Sequence, residues 1–153
     1  MDFVFSSKPN VNEFVHFSAI DTPDWKINPK DNRELICQNP GIWYLCSQYQ
    51  VTGLKNVDNN VLPKPSLIGW FNLNNIDLEN TAAISNEREI GGTNVLTICY
   101  LENFKIGDII KCGLYSISPN NNIYMGITQE ITRNNLNCPS FIFTAQLSYS
   151  NIL

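Results

Sequence analysis

No apolar pattern of helical period is sustained along this chain; short runs rich in Val, Ile, Tyr, Phe and Trp recur instead, separated by Asn, Pro and Gly. Branched and aromatic side chains pack well on a pleated surface, and Asn and Gly tolerate the left-handed backbone of tight turns, so the runs read as β-strands. The pattern predicts strands over residues 13–20, 33–38, 42–53, 66–73, 76–84, 94–101, 108–118, 123–128 and 140–148. That many short strands in 153 residues fit one all-β, two-sheet antiparallel sandwich. Residues 1–12 form an N-terminal arm in this reading, and residues 13–153 a single domain.

The punctuation supports the division. Asn39-Pro40-Gly41 and Pro119-Asn120-Asn121-Asn122 combine a fixed φ with residues that accept positive φ, and both read as turns. Asn74-Asn75 lies between Trp70-Phe71-Asn72-Leu73 and Ile76-Asp77-Leu78, as a tight hairpin requires. Gly91-Gly92 introduces the next strand, and residues 56–65 form the longest polar interruption, a surface loop.

One strand is apolar on both faces. Alternation along residues 42–51 sends Trp43, Leu45, Ser47, Tyr49 and Val51 one way and Ile42, Tyr44 and Cys46 the other. A strand with one face in water should be polar there, so a second burial is implied, which another subunit could supply. Only 16% of residues are charged, against about 25% in an average soluble domain, and this agrees with a surface partly covered by a partner.

The net charge of −4 and ten scattered Lys and Arg residues argue against a nucleic-acid module, which needs clustered cations. No run approaches the ~18 apolar residues of a membrane span, and residues 1–9 lack the basic flank and apolar core of a secretion signal. The five cysteines, Cys37, Cys46, Cys99, Cys112 and Cys138, are odd in number and lack metal-ligand spacing. The first four lie among apolar or aromatic neighbours, and all five are expected to be unpaired, structural thiols. Asparagine is abundant, yet no Asn-x-Ser/Thr sequon occurs, which disfavours a glycosylating pathway.

Four segments, in order, resemble the globular heads of complement component one q and the related tumour necrosis factor ligands. Phe14-Val15-His16-Phe17-Ser18-Ala19 resembles the opening strand, and Asn39-Pro40-Gly41-Ile42-Trp43-Tyr44-Leu45 the Pro-Gly-aliphatic-aromatic run that begins a central strand. Val95-Leu96 through Phe104-Lys105-Ile106-Gly107-Asp108-Ile109-Ile110 is similar to the apolar strand and Gly-Asp turn, and Ser140-Phe141-Ile142-Phe143-Thr144-Ala145-Gln146-Leu147 to the last strand, which closes at the subunit interface. The stretch between Ala19 and Glu34 is shorter than in that family, so an early strand pair is truncated or replaced, and no collagen-like stalk precedes the domain. The resemblance implies a jelly roll of the complement q/tumour necrosis factor type that forms a compact homotrimer. Its interface is expected to include Ile42, Tyr44, Cys46, Ile142, Thr144 and Gln146.

Chemistry is poorly served. His16 is the single histidine, so multi-histidine metal sites within one chain are excluded and a Ser-His-Asp or Cys-His site would have to use it; it is expected instead to be a strand residue with a satisfied hydrogen bond. Asp21, Asp24, Asp31 and Glu34 offer oxygen ligands that calcium could use, but their spacing matches no EF-hand-like loop. Glu79, Glu87 and Glu89 with Arg88 read as a solvated face, and Asp108 as a turn residue whose carboxylate accepts backbone N–H bonds. Trp43 and Trp70 read as buried, whereas Trp25, in the Asp21-Thr22-Pro23-Asp24-Trp25 loop, is the candidate exposed recognition residue.

The expectation is therefore a non-enzymatic, self-associating structural protein without cofactor or metal, a virus capsid or particle-surface component assembled in the cytoplasm. Its partners would be copies of itself and other capsid or particle proteins, with no nucleic acid and no membrane insertion. The alternative is an extracellular trimeric recognition module, secreted or surface-displayed, that binds a receptor or glycan through its loops.

Overall fold

The computed structural model describes residues 10–53, 66–86, 93–117, 125–127, 131–133, 136–138 and 140–150. The strands are β1 (Asn12–Phe14), β2 (Trp25–Asn28), β3 (Asp31–Cys37), β4 (Gly41–Gly53), β5 (Ser66–Leu73), β6 (Ile76–Asn86), β7 (Thr93–Phe104), β8 (Ile109–Ile117), β9 (Met125–Ile127), β10 (Ile131–Arg133), β11 (Leu136–Cys138) and β12 (Phe141–Ser150). Every pairing is antiparallel, and no helix occurs among the described residues.

The larger sheet runs β2-β3-β8-β5-β6. One edge of β8 is shared: β3 pairs near its start, at Leu35↔Ile110, and β1 further along, at Phe14↔Gly113. The second sheet runs β12-β4-β7, with β9 continuing the β12 edge of β4 at residues 51–53. β10 and β11 form a separate hairpin.

Alternation decides what lies between the sheets. Leu35, Cys37, Leu67, Phe71, Ile110, Cys112 and Leu114 from the larger sheet meet Trp43, Leu45, Tyr49, Val51, Leu96, Ile98 and Phe104 from the smaller in one buried cluster. This is a β-sandwich core, in which each strand contributes every second residue. A polar tie spans it, since Tyr49 Oη donates to the Gly113 carbonyl at 2.9 Å. Burial pushes the Tyr49 phenol well above its ordinary pKa, so it remains a donor.

The Asn74-Asn75 hairpin forms as expected: φ is 50° at Asn74 and 67° at Asn75, and Leu73 pairs with Ile76. Two positive φ angles match the right-handed twist of the flanking strands. Residues 105–108 also turn as expected, with Gly107 at φ 88° and Asp108 Oδ2 accepting the Lys105 N–H at 2.8 Å.

Several expectations need correction. The strand expected over residues 13–20 ends at Phe14; beyond it the chain leaves the sheet, with the Val15 N–H donating to the Cys112 carbonyl and the Phe17 N–H to that of Asn32. Phe17 then packs edge-on against Phe141 and Phe143 of the opposite sheet. The second correction is β2, a strand where a loop was expected. The third concerns Trp25, which is 2% exposed and is not a surface recognition residue. Pairing of Trp25 with Cys37 turns its ring inward, where it meets Trp43, Phe104 and Phe143 edge to face at centroid distances of 5.6, 5.2 and 6.5 Å. The expected N-terminal arm over residues 1–12 falls on undescribed residues as far as residue 9. The turn at 119–122, Gly91-Gly92, the 56–65 loop and Glu87, Arg88 and Glu89 also lie outside the described residues.

Candidate functional site

The outer face of the β12-β4-β7 sheet is built by the same alternation that fills the core. With Trp43, Leu45, Ser47 and Tyr49 buried, β4 turns Ile42, Tyr44, Cys46, Gln48 and Gln50 outward. Opposite them β7 presents Val95, Thr97, Cys99, Leu101 and Asn103, and β12 presents Ile142, Thr144, Gln146 and Ser148. All six interface residues named from the sequence therefore share one face. Register brings them together: Tyr44 lies between Leu101 and Gln146, and Cys46 between Cys99 and Thr144.

Two properties distinguish this face. None of its described side chains is Lys, Arg, Asp or Glu. Large apolar groups nevertheless remain in water, with Tyr44 42% exposed, Val95 55%, Leu101 56% and Ile142 38%. The β7 contribution was not anticipated, because both Val95-Leu96 and Tyr100-Leu101 are apolar on either side and only the β4–β7 register decides which residue faces out.

The cysteines divide into two kinds. Cys37 and Cys112 are buried as expected, and burial pushes both thiols above their ordinary pKa. Cys46 is half-buried on the outer face where alternation put it, whereas Cys99, read as a thiol among apolar neighbours, is exposed. The Cys46 and Cys99 sulfurs are 2.9 Å apart. Burial, with Cys99 beside it, pushes Cys46 up to about 11, and contact with Cys99 also raises the Tyr44 phenol. The Cys138 side chain lies outside the described residues.

His16, Trp70 and three of the four acidic residues considered for calcium are held by protein partners. Asn32 Oδ1 accepts from His16 Nδ1 at 2.7 Å, although His16 lies beyond β1 rather than within a strand. The acidic residues once open to calcium do not converge: Asp31 is gripped by Arg33 at 2.8 Å, Glu34 accepts from Asn28 Nδ2 at 2.9 Å, and Asp24 accepts from Asn39 Nδ2 at 3.2 Å. Among the described residues, no group of three or more His, Cys, Asp or Glu is arranged to hold a metal ion. Trp70 is buried as expected, its Nε1 donating to Asp77 Oδ1 at 2.7 Å.

No family model matches the chain, and no curated protein matches it. Among the described residues no helix is long and apolar enough to cross a membrane.

Proposed function

We propose that the chain is a non-enzymatic structural protein, a jelly roll of the complement q and tumour necrosis factor type that associates with copies of itself as a homotrimer in a virus capsid or particle surface. The uncharged outer face of the β12-β4-β7 sheet carries the reading. Its exposed apolar groups gain roughly 25 cal/mol for each Å² removed from water. Depletion of charge marks the centre of an interface rather than its rim.

A copy of the same chain suits such a face. Like charges brought together by symmetry would repel, and the described side chains of this face bring none. A partner recognised through charge would find no ion among them to pair with. The number three rests on the resemblance, whose last strand closes at the subunit interface; β12 borders β4 along this face. Light scattering coupled to size exclusion at micromolar concentration tests the reading. A trimer mass is expected, and a stable monomer overturns it. Assignment to a particle is tested by purifying particles from the source on a density gradient, where the chain should co-migrate with them.

A further inference from the structure

Two cysteines stand opposite each other at the middle of the outer face. Cys46 of β4 and Cys99 of β7 are direct partners in the antiparallel ladder. Such partners have Cα atoms about 4.5–5.5 Å apart, within the roughly 4.4–6.8 Å that a disulfide spans. Both side chains leave the same face of the sheet, and their sulfurs are 2.9 Å apart, against about 2.0 Å in a formed bond. Only a small rotation of each side chain separates the dithiol from the bonded geometry.

We propose that Cys46 and Cys99 are a thiol–disulfide exchange site, oxidised by a low-molecular-weight disulfide and closing into a cross-strand disulfide. The exposed Cys99 thiolate attacks one sulfur of the reagent, whose S–S bond breaks and releases the first thiol. The Cys46 thiolate then attacks the Cys99 sulfur of the mixed disulfide and releases the second. Two electrons pass from the cysteine pair to the reagent, and the two cysteine protons leave on the two released thiols. The order follows from exposure, since Cys46 is the more covered of the pair.

The exchange itself does not need subunits to associate. Its rate does depend on the self-association reading, because the pair lies within the face assigned to the trimer, and assembly should shield it.

The test follows the full chain, at low nanomolar and at micromolar protein, over time in a fixed excess of oxidised glutathione, each time point trapped by alkylation without reduction and read by peptide mass mapping. Loss of two hydrogens in a peptide linking Cys46 to Cys99 within one chain is expected, restored by dithiothreitol and retained in Cys138→Ser. Cys46→Ser should instead accumulate glutathione on Cys99. The proposal is overturned if both cysteines remain alkylatable at both concentrations, if glutathione persists on Cys99 of the parent protein, or if either cysteine links to another cysteine or another chain. Slower closure at micromolar concentration is expected; closure at one rate, with sedimentation finding trimer at micromolar and monomer at nanomolar protein, would leave the exchange site standing and place the pair outside the interface.

Discussion

Replacing Tyr44 with Asp should separate folding from assembly. In the lone subunit Tyr44 is 42% exposed and stands outside the core cluster, so the substitution should cost the subunit only the strand propensity and cross-strand contacts of one outer-face residue, about 1–2 kcal/mol. Assembly is different. An aromatic side chain carries roughly 200 Å² of surface, so the exposed share amounts to about 85 Å², worth about 2 kcal/mol when covered. A carboxylate brought into the same contact must also lose water near its symmetry mates, which raises the loss to about 3 kcal/mol per copy. Each trimer contains three copies, giving about 9 kcal/mol, or about six decades in the assembly constant. Because half-assembly of a three-body equilibrium varies as the square root of that constant, its concentration should rise by about three decades. Sedimentation velocity from nanomolar to hundreds of micromolar reads this shift, with circular dichroism confirming that the subunit still folds and Tyr44→Phe as the control that should assemble normally. A Tyr44→Asp protein that assembles within tenfold of the parent's concentration would refute the placement of Tyr44 at the contact.

Gly113→Ala should cost about 1–3 kcal/mol in urea melting, because its Cβ would lie 2.3 Å from Trp70 Cε2, on a ring already tied to Asp77. Trp25→Ala should lose about 3–5 kcal/mol by the same measurement, where a surface tryptophan would lose little. If only native subunits bind one another, the Tm of the parent should rise with protein concentration in calorimetry. Arg33 holds Asp31 down to about 2, so the stability that this pair contributes is present above the unfolded carboxylate value and is lost as pH falls toward about 2. Arg33 is exposed and Asp31 only partly covered, at 45% and 29% side-chain exposure, and solvent screening keeps the effect below about 0.5 kcal/mol; Asp31→Asn should therefore leave neutral-pH stability nearly unchanged, and NMR titration should find the depressed carboxyl.

The long strands and their turns were readable because local rules suffice for them. β5 occupies the predicted residues, β4 begins one residue early, and Asn74-Asn75 turns as two adjacent asparagines between apolar runs should. β2 was not readable: Trp25-Lys26-Ile27-Asn28 is too short for a period and lies between two prolines, and its extended form comes from pairing with β3. Trp25 was misplaced for the same reason, since the pairing turns its ring inward. The short β10 and β11 carry as little signal. For the outer face, alternation was enough to select Ile42, Tyr44 and Cys46. Finding Cys99 opposite Cys46 needed the β4–β7 register, a long-range property that no local pattern encodes.

The pairing of β12 with β4 has a consequence for synthesis. Phe141 lies beside Tyr49, yet about 90 residues of chain separate the two partners, and at roughly 5–20 residues per second a ribosome needs some 5–20 s to supply the second after the first. Throughout that interval one flank of β4 carries unpaired N–H and C=O groups beside an apolar surface, a template for any nascent neighbour on the same message. Crowded polysomes should therefore be where this chain goes astray, and slower initiation, which spaces the ribosomes apart, should improve its soluble yield more than lowering the temperature after synthesis is complete.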